Sequence, residues 1–334
     1  MRHRRVWIAG AVGAALIAWI YLHAGPPPPL PKPPESTWAF AALGDAPYYP
    51  WESFQYRLVM RDLEAHDLDA VLHVGDIFWH PCYDALYQHT LRRFKALRFP
   101  VLYTPGDNEW ADCWESGSGS YDPHERLRRI RQIFFDPPGR SHGGATVPLV
   151  SQGGGGMYSE FVENVRWEHQ GYVIATVNLP GSENGLERFH GTAPAPEIAA
   201  RRQRTMAAAE WTRAAFAEAR AAGSEGVILA FHAEMGLRAP PRDAYRQAYE
   251  PFITVLEEEA EAFGKPVLLV HGDGHEYTVD KPLIRRTTGK RLENVFRLEV
   301  PGSPILGWVR VMVTPGRPDP FSFEQRVLPR YKYW

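Results

Sequence analysis

The chain has 334 residues, 44% of them hydrophobic and 13% aromatic, enough to bury a sizeable core in one large domain. Its 37 Lys and Arg nearly balance 39 Asp and Glu, and no long run of one sign follows the N-terminus. The broad positive field that non-specific nucleic-acid binding needs is missing, so no nucleic-acid partner is expected.

Residues 1–24 read as a signal peptide or signal anchor, because Arg2, His3, Arg4 and Arg5 precede an apolar or small stretch over 6–22. That stretch is short for a spanning helix, for which about 20 residues is usual. Ala24 and Gly25 offer small residues for cleavage; retention as an anchor is the expectation and removal the alternative. Residues 25–34, GPPPPLPKPP, read as a polyproline spacer rising ~3.1 Å per residue, or as an ordinary linker. Both readings place the domain over 35–334 outside the cytoplasm. It would be membrane-anchored and face the periplasm or the extracellular side, or be secreted. Two cysteines, Cys82 and Cys113, fit an exported protein.

Apolar runs over 38–43, 70–74, 101–104, 172–178, 227–231 and 267–270 predict buried strands. Between them, Tyr56, Val59, Met60 and Leu63 recur at helical spacing, as do Tyr249, Phe252, Ile253 and Leu256, and the Ala-rich segment 197–222 predicts a long helix. The alternation is that of an α/β fold with much parallel sheet. Segments 295–300 and 308–313, with no helix between them, predict an antiparallel hairpin. The glycine run 153–156 reads as a flexible connection rather than a ligand loop.

The loops after most of these strands carry the chemistry. The first strand runs into Asp45, the second into Asp76, the third into Asp107, Asn108 and Glu109, the fifth into His232, and the sixth into His271, Asp273 and His275. A single Gly-Asp after a strand is usually a turn, but acids and histidines repeated at the same strand end predict one metal site.

The blocks ALGDAPYY, LHVGDIFW, YTPGDNEW, LAFHAEM and LLVHGDGHEY resemble, in this order, the motifs of the calcineurin-like metallophosphoesterases, over roughly Phe40 to Tyr277. The resemblance implies a four-layer α/β/β/α sandwich with two mixed sheets, two divalent metal ions bridged by Asp76, and hydrolysis of a phosphoester. It assigns Asp45, Asp76 and His275 to one metal, and Asp76, Asp107, His232 and Asp273 to the other. A second register makes Asn108 the ligand and leaves Asp107 structural.

The departures from the family's pattern change the expected chemistry. Pro47 stands where the family commonly has a histidine, so that metal loses a ligand unless Tyr48 or water replaces it. Asp107 and Asp273 stand at positions of an Asn and a His ligand, so the carboxylates of Asp45, Asp76, Asp107 and Asp273 cancel the charge of two divalent ions. Oxygen-rich ligation favours Mn²⁺ or Mg²⁺ over Zn²⁺. Asn108 stands at the catalytic His and cannot deliver a proton, which leaves His271 or His80 as candidate donors. Cys82 and Cys113 follow Asp76 and Asp107 at the same spacing, and a disulfide between them would staple the two loops; unpaired buried thiols are the alternative.

The expected partner is a phosphoester small molecule or headgroup, with the membrane reached through the anchor. Reduced positive charge leans to the singly charged diester. Another hydrolysis or a pyrophosphate-type bond keeps the same metals, and the alternative class is a non-catalytic, membrane-anchored binding domain that retains the fold. Trp51, Trp79, Trp110 and Trp114 fall in or near the ligand loops, as core packing or as a wall for an organic group.

Overall fold

Strand alternation decides which side chains face which layer. The computed structural model describes residues 30–285 and 287–327. In chain order it contains β1 (Trp38–Leu43), α1 (Glu52–Glu64), β2 (Ala70–His73), α2 (Asp84–Ala96), β3 (Val101–Tyr103), α3 (Pro123–Phe134), β4 (Val150–Ser151), β5 (Val165–His169) and β6 (Tyr172–Thr176). There follow α4 (Ala195–Ala222), β7 (Gly226–Ala230), α5 (Glu250–Phe263), β8 (Val267–His271), β9 (Thr278–Asp280), β10 (Val295–Glu299), β11 (Gly307–Val313) and β12 (Phe321–Val327).

The strands form a five-stranded sheet in the order β12-β11-β1-β2-β3 and a seven-stranded sheet in the order β4-β5-β6-β7-β8-β10-β9. Both are mixed: β1 is parallel to β2 but antiparallel to β11, and β8 and β10 are parallel while β9 is antiparallel to β10. Phe40, Ala42, Leu72 and Val74 of the first sheet meet Ile174, Ile228, Val270 and Leu298 of the second in an inter-sheet core. The alternate residues Leu43, Val71 and Tyr103 pack with Tyr56, Leu63, Tyr87 and Ile130 of α1 to α3. Val173, Leu229 and Val267 pack with Phe216 of α4 and with Phe252 and Leu256 of α5. Period-two strands with both faces covered thus give the expected α/β/β/α sandwich.

The expected hairpin over 295–300 and 308–313 is not formed. β10 pairs with β8 in one sheet, and β11 pairs with β1 in the other. Two apolar runs with a short link look alike whether they pair with each other or cover a shared core from opposite sides. Here Leu298 and Val309 do the latter. The crossing segment brings Ser303 against the loop of Asp45, where its N–H donates to the Asp45 carbonyl at 2.8 Å.

A Cβ on Gly154, Gly155 or Gly156 would meet nothing within 4 Å, which agrees with a connection rather than a ligand cradle. Among the described residues no helix is long and apolar enough to cross a membrane. The expected signal segment, residues 1–24, and the start of the spacer lie outside them.

Candidate metal centre

The strand-end loops converge as their order implied. Asp45, Asp76 and His275 each offer a ligand atom, with all three atoms within 4.8 Å of one another, and so do Asp76, Asp107 and His232. Asp76 is common to both groups. His232 Nε2 lies 2.8 Å from Asp107 Oδ1 and 3.4 Å from Asp76 Oδ1, and His275 Nε2 lies 3.7 Å from Asp45 Oδ1. Asp273 flanks the second group: its Oδ1 is 3.9 Å from His232 Nε2, and its Oδ2 accepts from the Glu234 N–H at 2.8 Å and the Tyr245 hydroxyl at 3.0 Å.

The backbone bends sharply to aim these groups. Asp45, Asp76, Asp273 and His275 have φ of 53°, 53°, 72° and 63°, in the left-handed region that costs most residues about 1 kcal/mol or more. Ladder-like bonds hold the strain in place, with the N–H of Asp45 donating to Gly75 and that of Ala46 to Asp76, each at 3.1 Å. Gly106 and Gly181 make room for the carboxylates. A Cβ on Gly106 would meet Asp76 Oδ1 at 2.1 Å, and one on Gly181 would meet Asp273 Oδ1 at 2.6 Å and Asp107 Oδ1 at 2.8 Å.

Neighbouring side chains fix the shared carboxylate. The Asn108 amide donates to Asp76 Oδ2 at 2.5 Å and its backbone N–H to Oδ1 at 3.1 Å, so Asn108 lies on Asp76 while Asp107 faces His232. The Tyr48 hydroxyl donates to Asp76 Oδ2 and lies 3.1 Å from His275 Nε2, filling the side of the site that Pro47 leaves empty of donors. Fully buried Glu109 accepts from the N–H groups of Ile77 and Gly106 and from the Tyr103 hydroxyl, all at 3.0 Å, and so ties the Asp76 loop to the Asp107 loop.

Cys82 and Cys113 form a disulfide between these same loops, with Cα atoms 5.8 Å apart. Cys113→Ser is expected to lower stability by about 2–4 kcal/mol, as for closure of a loop of this size. A denaturant midpoint unchanged in that variant would rule the staple out.

The electrostatics of the cluster would suit a cation. Burial pushes Asp45 up to about 6 and Asp76 well above the usual carboxylate range. Burial also pushes Asp107 up, but the His232 ring and the Ser182 hydroxyl outweigh it and hold the group near 2. Burial alone would lower His232, yet Asp76, Asp107 and Asp45 raise it well above the ordinary imidazole value. His232 Nδ1 donates to the Val74 carbonyl at 2.7 Å, which turns Nε2 toward the acids. Buried Nε2 and Asp45 Oδ2 have no aligned hydrogen-bond partner. These orphaned buried atoms, one in each ligand group, fit a bound divalent metal.

His271 is placed elsewhere. It follows the parity of Val267 and Leu269, is fully buried, and stacks on Phe231 with centroids 5.6 Å apart and planes at 3°. That packing turns it away from the carboxylates, and burial lowers it to about 3. His80 is exposed, with its ring 4.7 Å from that of Trp79.

No motif marks Ser182, since the loop after β6 carries no acid or histidine at the strand end. Its hydroxyl nevertheless lies 2.7 Å from Asp107 Oδ2 and 2.8 Å from Asp112 Oδ2. Burial, reinforced by the charge of Asp107, pushes Asp112 up to about 8. Tyr245, which holds Asp273, carried no sequence signal either.

No protein-family profile matches the chain, and no curated protein does. Among solved structures, one titled "Structure of PhoD" is similar at 13% identity and a TM-score of 0.51, over 86% of this chain and 66% of that one. A 5′-nucleotidase from Candida albicans SC5314 matches at 10% identity and a TM-score of 0.40, over 86% and 51%. The chain thus spans under two thirds of the length of either. The likeness to PhoD concerns the fold alone, a sandwich of two mixed sheets between helices.

Proposed function

We propose that the protein is a metal-dependent hydrolase of phosphoester bonds with a dinuclear centre. Asp45, Asp76 and His275 hold one ion, and Asp76, Asp107, His232 and Asp273 hold the other. The observation that carries this reading is the position of Asp76, whose carboxylate belongs to both ligand groups at once. The α/β/β/α fold supports it. When bound, the metals would polarise the phosphoryl oxygens and make bound water a nucleophile.

The chain's own residues do the positioning. The side chains of Asn108 and Tyr48 donate to Asp76 Oδ2 and the Asn108 N–H donates to Oδ1, which together fix the orientation of the carboxylate. Val74 and Ser303 fix the rings of His232 and His275 through their Nδ1 atoms, at 2.7 and 2.8 Å. The acidic donor set favours Mn²⁺ or Mg²⁺, and its charge leaves little attraction for a dianion, which favours a diester. The Cys82–Cys113 disulfide supports an exported domain acting on exported substrates.

Asn108 has no proton to give and His271 is turned away, so the rate should depend steeply on the leaving group. Alkyl esters are expected to react about 10²–10⁴-fold more slowly than p-nitrophenyl esters, the usual worth of general-acid help. A series of esters of graded leaving-group acidity measures this, and a flat dependence would reveal a donor in the site.

The direct test is hydrolysis of p-nitrophenyl phosphate and bis(p-nitrophenyl) phosphate by the full-length protein with Mn²⁺, Mg²⁺ or Zn²⁺. Metal-dependent turnover supports the reading and shows which ester is preferred. Absence of turnover with every ion would favour a non-catalytic domain that keeps the metal for its fold.

A further inference from the structure

The loops that supply Asp45 and Asp76 run on into aromatic residues: Tyr48 and Tyr49 after the first, Trp79 and His80 after the second. The ring of Tyr48, whose hydroxyl touches Asp76, lies 6.1 Å from that of Trp79. Trp79 meets Tyr49 edge-on at 5.4 Å, and Tyr49 stacks on Trp51 at 4.6 Å with the planes 4° apart. A continuous ladder of rings therefore leads from the shared carboxylate to solvent.

The outer rings are not core. Trp51 is 67% exposed and Trp79 37%, whereas Trp110 and Trp308 are buried. Contiguous aromatic surface beside a cluster of acids and histidines is the composition of a ligand site, in which a few charged groups orient one end and rings bind the other. Indole and phenol faces bind planar rings by stacking with little regard for substituents.

We propose that this ladder is the subsite for a planar aromatic leaving group, stacked on Trp79 while the phosphoryl group lies at the metal centre. The proposal rests on the phosphoesterase reading and adds the chemical class of the substrate. Continuity with Asp76 through Tyr48 argues for a substrate moiety over a separate partner.

Phenylphosphonate and methylphosphonate carry the same headgroup and no ester bond to hydrolyse, so calorimetry on the full-length protein with Mn²⁺ compares the ring alone. Phenylphosphonate is expected to bind about tenfold more tightly, equivalent to about 1.4 kcal/mol. Trp79→Ala should erase that preference while leaving methylphosphonate binding unchanged, Trp79→Phe should retain part of it, and Trp51→Ala should reduce it less. Equal affinities in the wild type, or a preference that survives Trp79→Ala, would overturn the subsite and leave the phosphoesterase reading standing. If neither phosphonate binds and p-nitrophenyl phosphate is not hydrolysed, the phosphoesterase reading falls and the subsite with it. Weaker sedimentation of Trp51→Ala with phosphatidylcholine vesicles, at unchanged phosphonate preference, would assign the ladder to a membrane surface and overturn the proposal.

Discussion

Asp76→Asn is expected to reduce metal-dependent phosphoester turnover by about 10³-fold or more, because it removes the one charge that both ligand groups share. The change is nearly isosteric, so the loops need not move. Its effect is chemical. Asp76 accepts from the Asn108 amide, the Asn108 backbone N–H and the Tyr48 hydroxyl, and an asparagine would turn an N–H₂ toward some of these donors. The metal stoichiometry of the variant should fall together with kcat. A variant that kept both wild-type stoichiometry and turnover would show that Asp76 bridges nothing, and the assignment of two metals would have to be abandoned.

Metal removal should produce the second large effect, on stability. Saturation at a hundred times the dissociation constant stabilises by about 2.7 kcal/mol, so chelation should lower Tm by roughly 4 °C in a domain of this size. The effect should also depend on pH with a definite sign. Asp45 rises from 3.8 to about 6 in the folded protein because burial disfavours its charge. The metal-free folded state then binds the proton more tightly than the unfolded chain and loses stability as pH rises from about 4 to 6. Asp76, also raised by burial, and His232, raised by its carboxylate neighbours, act with the same sign at their own titrations. A bound cation needs the deprotonated groups, so its contribution grows over the same range. Thermal melts with chelator and with Mn²⁺ should therefore diverge as pH increases. Parallel curves from pH 4 to 7 would mean that no metal engages these carboxylates. Asp76→Asn supplies the internal check, since it should narrow the gap by removing the carboxylate that both ligand groups share.

These expectations could be framed because the ligand chemistry is local. A strand, a glycine and an acid are adjacent along the chain at Asp45, Asp76 and Asp107, as are a strand and His232, or a strand and the HGDGH loop. Such neighbours need no knowledge of the rest of the fold. The alternation of strands and helices is local too: apolar runs imply buried strands, and the helical spacing of Tyr56, Val59 and Leu63 implies a packed helix, whereas the two-sheet sandwich was implied by the resemblance of the loop motifs. The matched spacing of Cys82 and Cys113 after Asp76 and Asp107 suggested a disulfide beside the alternative of free thiols, and the adjacent parallel strands β2 and β3 bring the two together.

What depended on distant packing was not readable in this way. Alternation says that His271 shares a face with Leu269, but only the position of Phe231 shows that this face is sealed. Two apolar segments, 295–300 and 308–313, are locally a hairpin; the edges of β8 and β1 claimed them for different sheets. Ser182 reaches Asp107, and Tyr245 reaches Asp273, across long sequence separations and without any motif. Trp79 and Trp110 are the same residue type in neighbouring loops, yet one is 37% exposed at the mouth of the site and the other 2% exposed in the core. Sequence spacing governs interactions over a few residues. Which surface a side chain finally meets is set by the tertiary packing of elements far apart in the chain, and here that packing separates a candidate substrate platform from ordinary core.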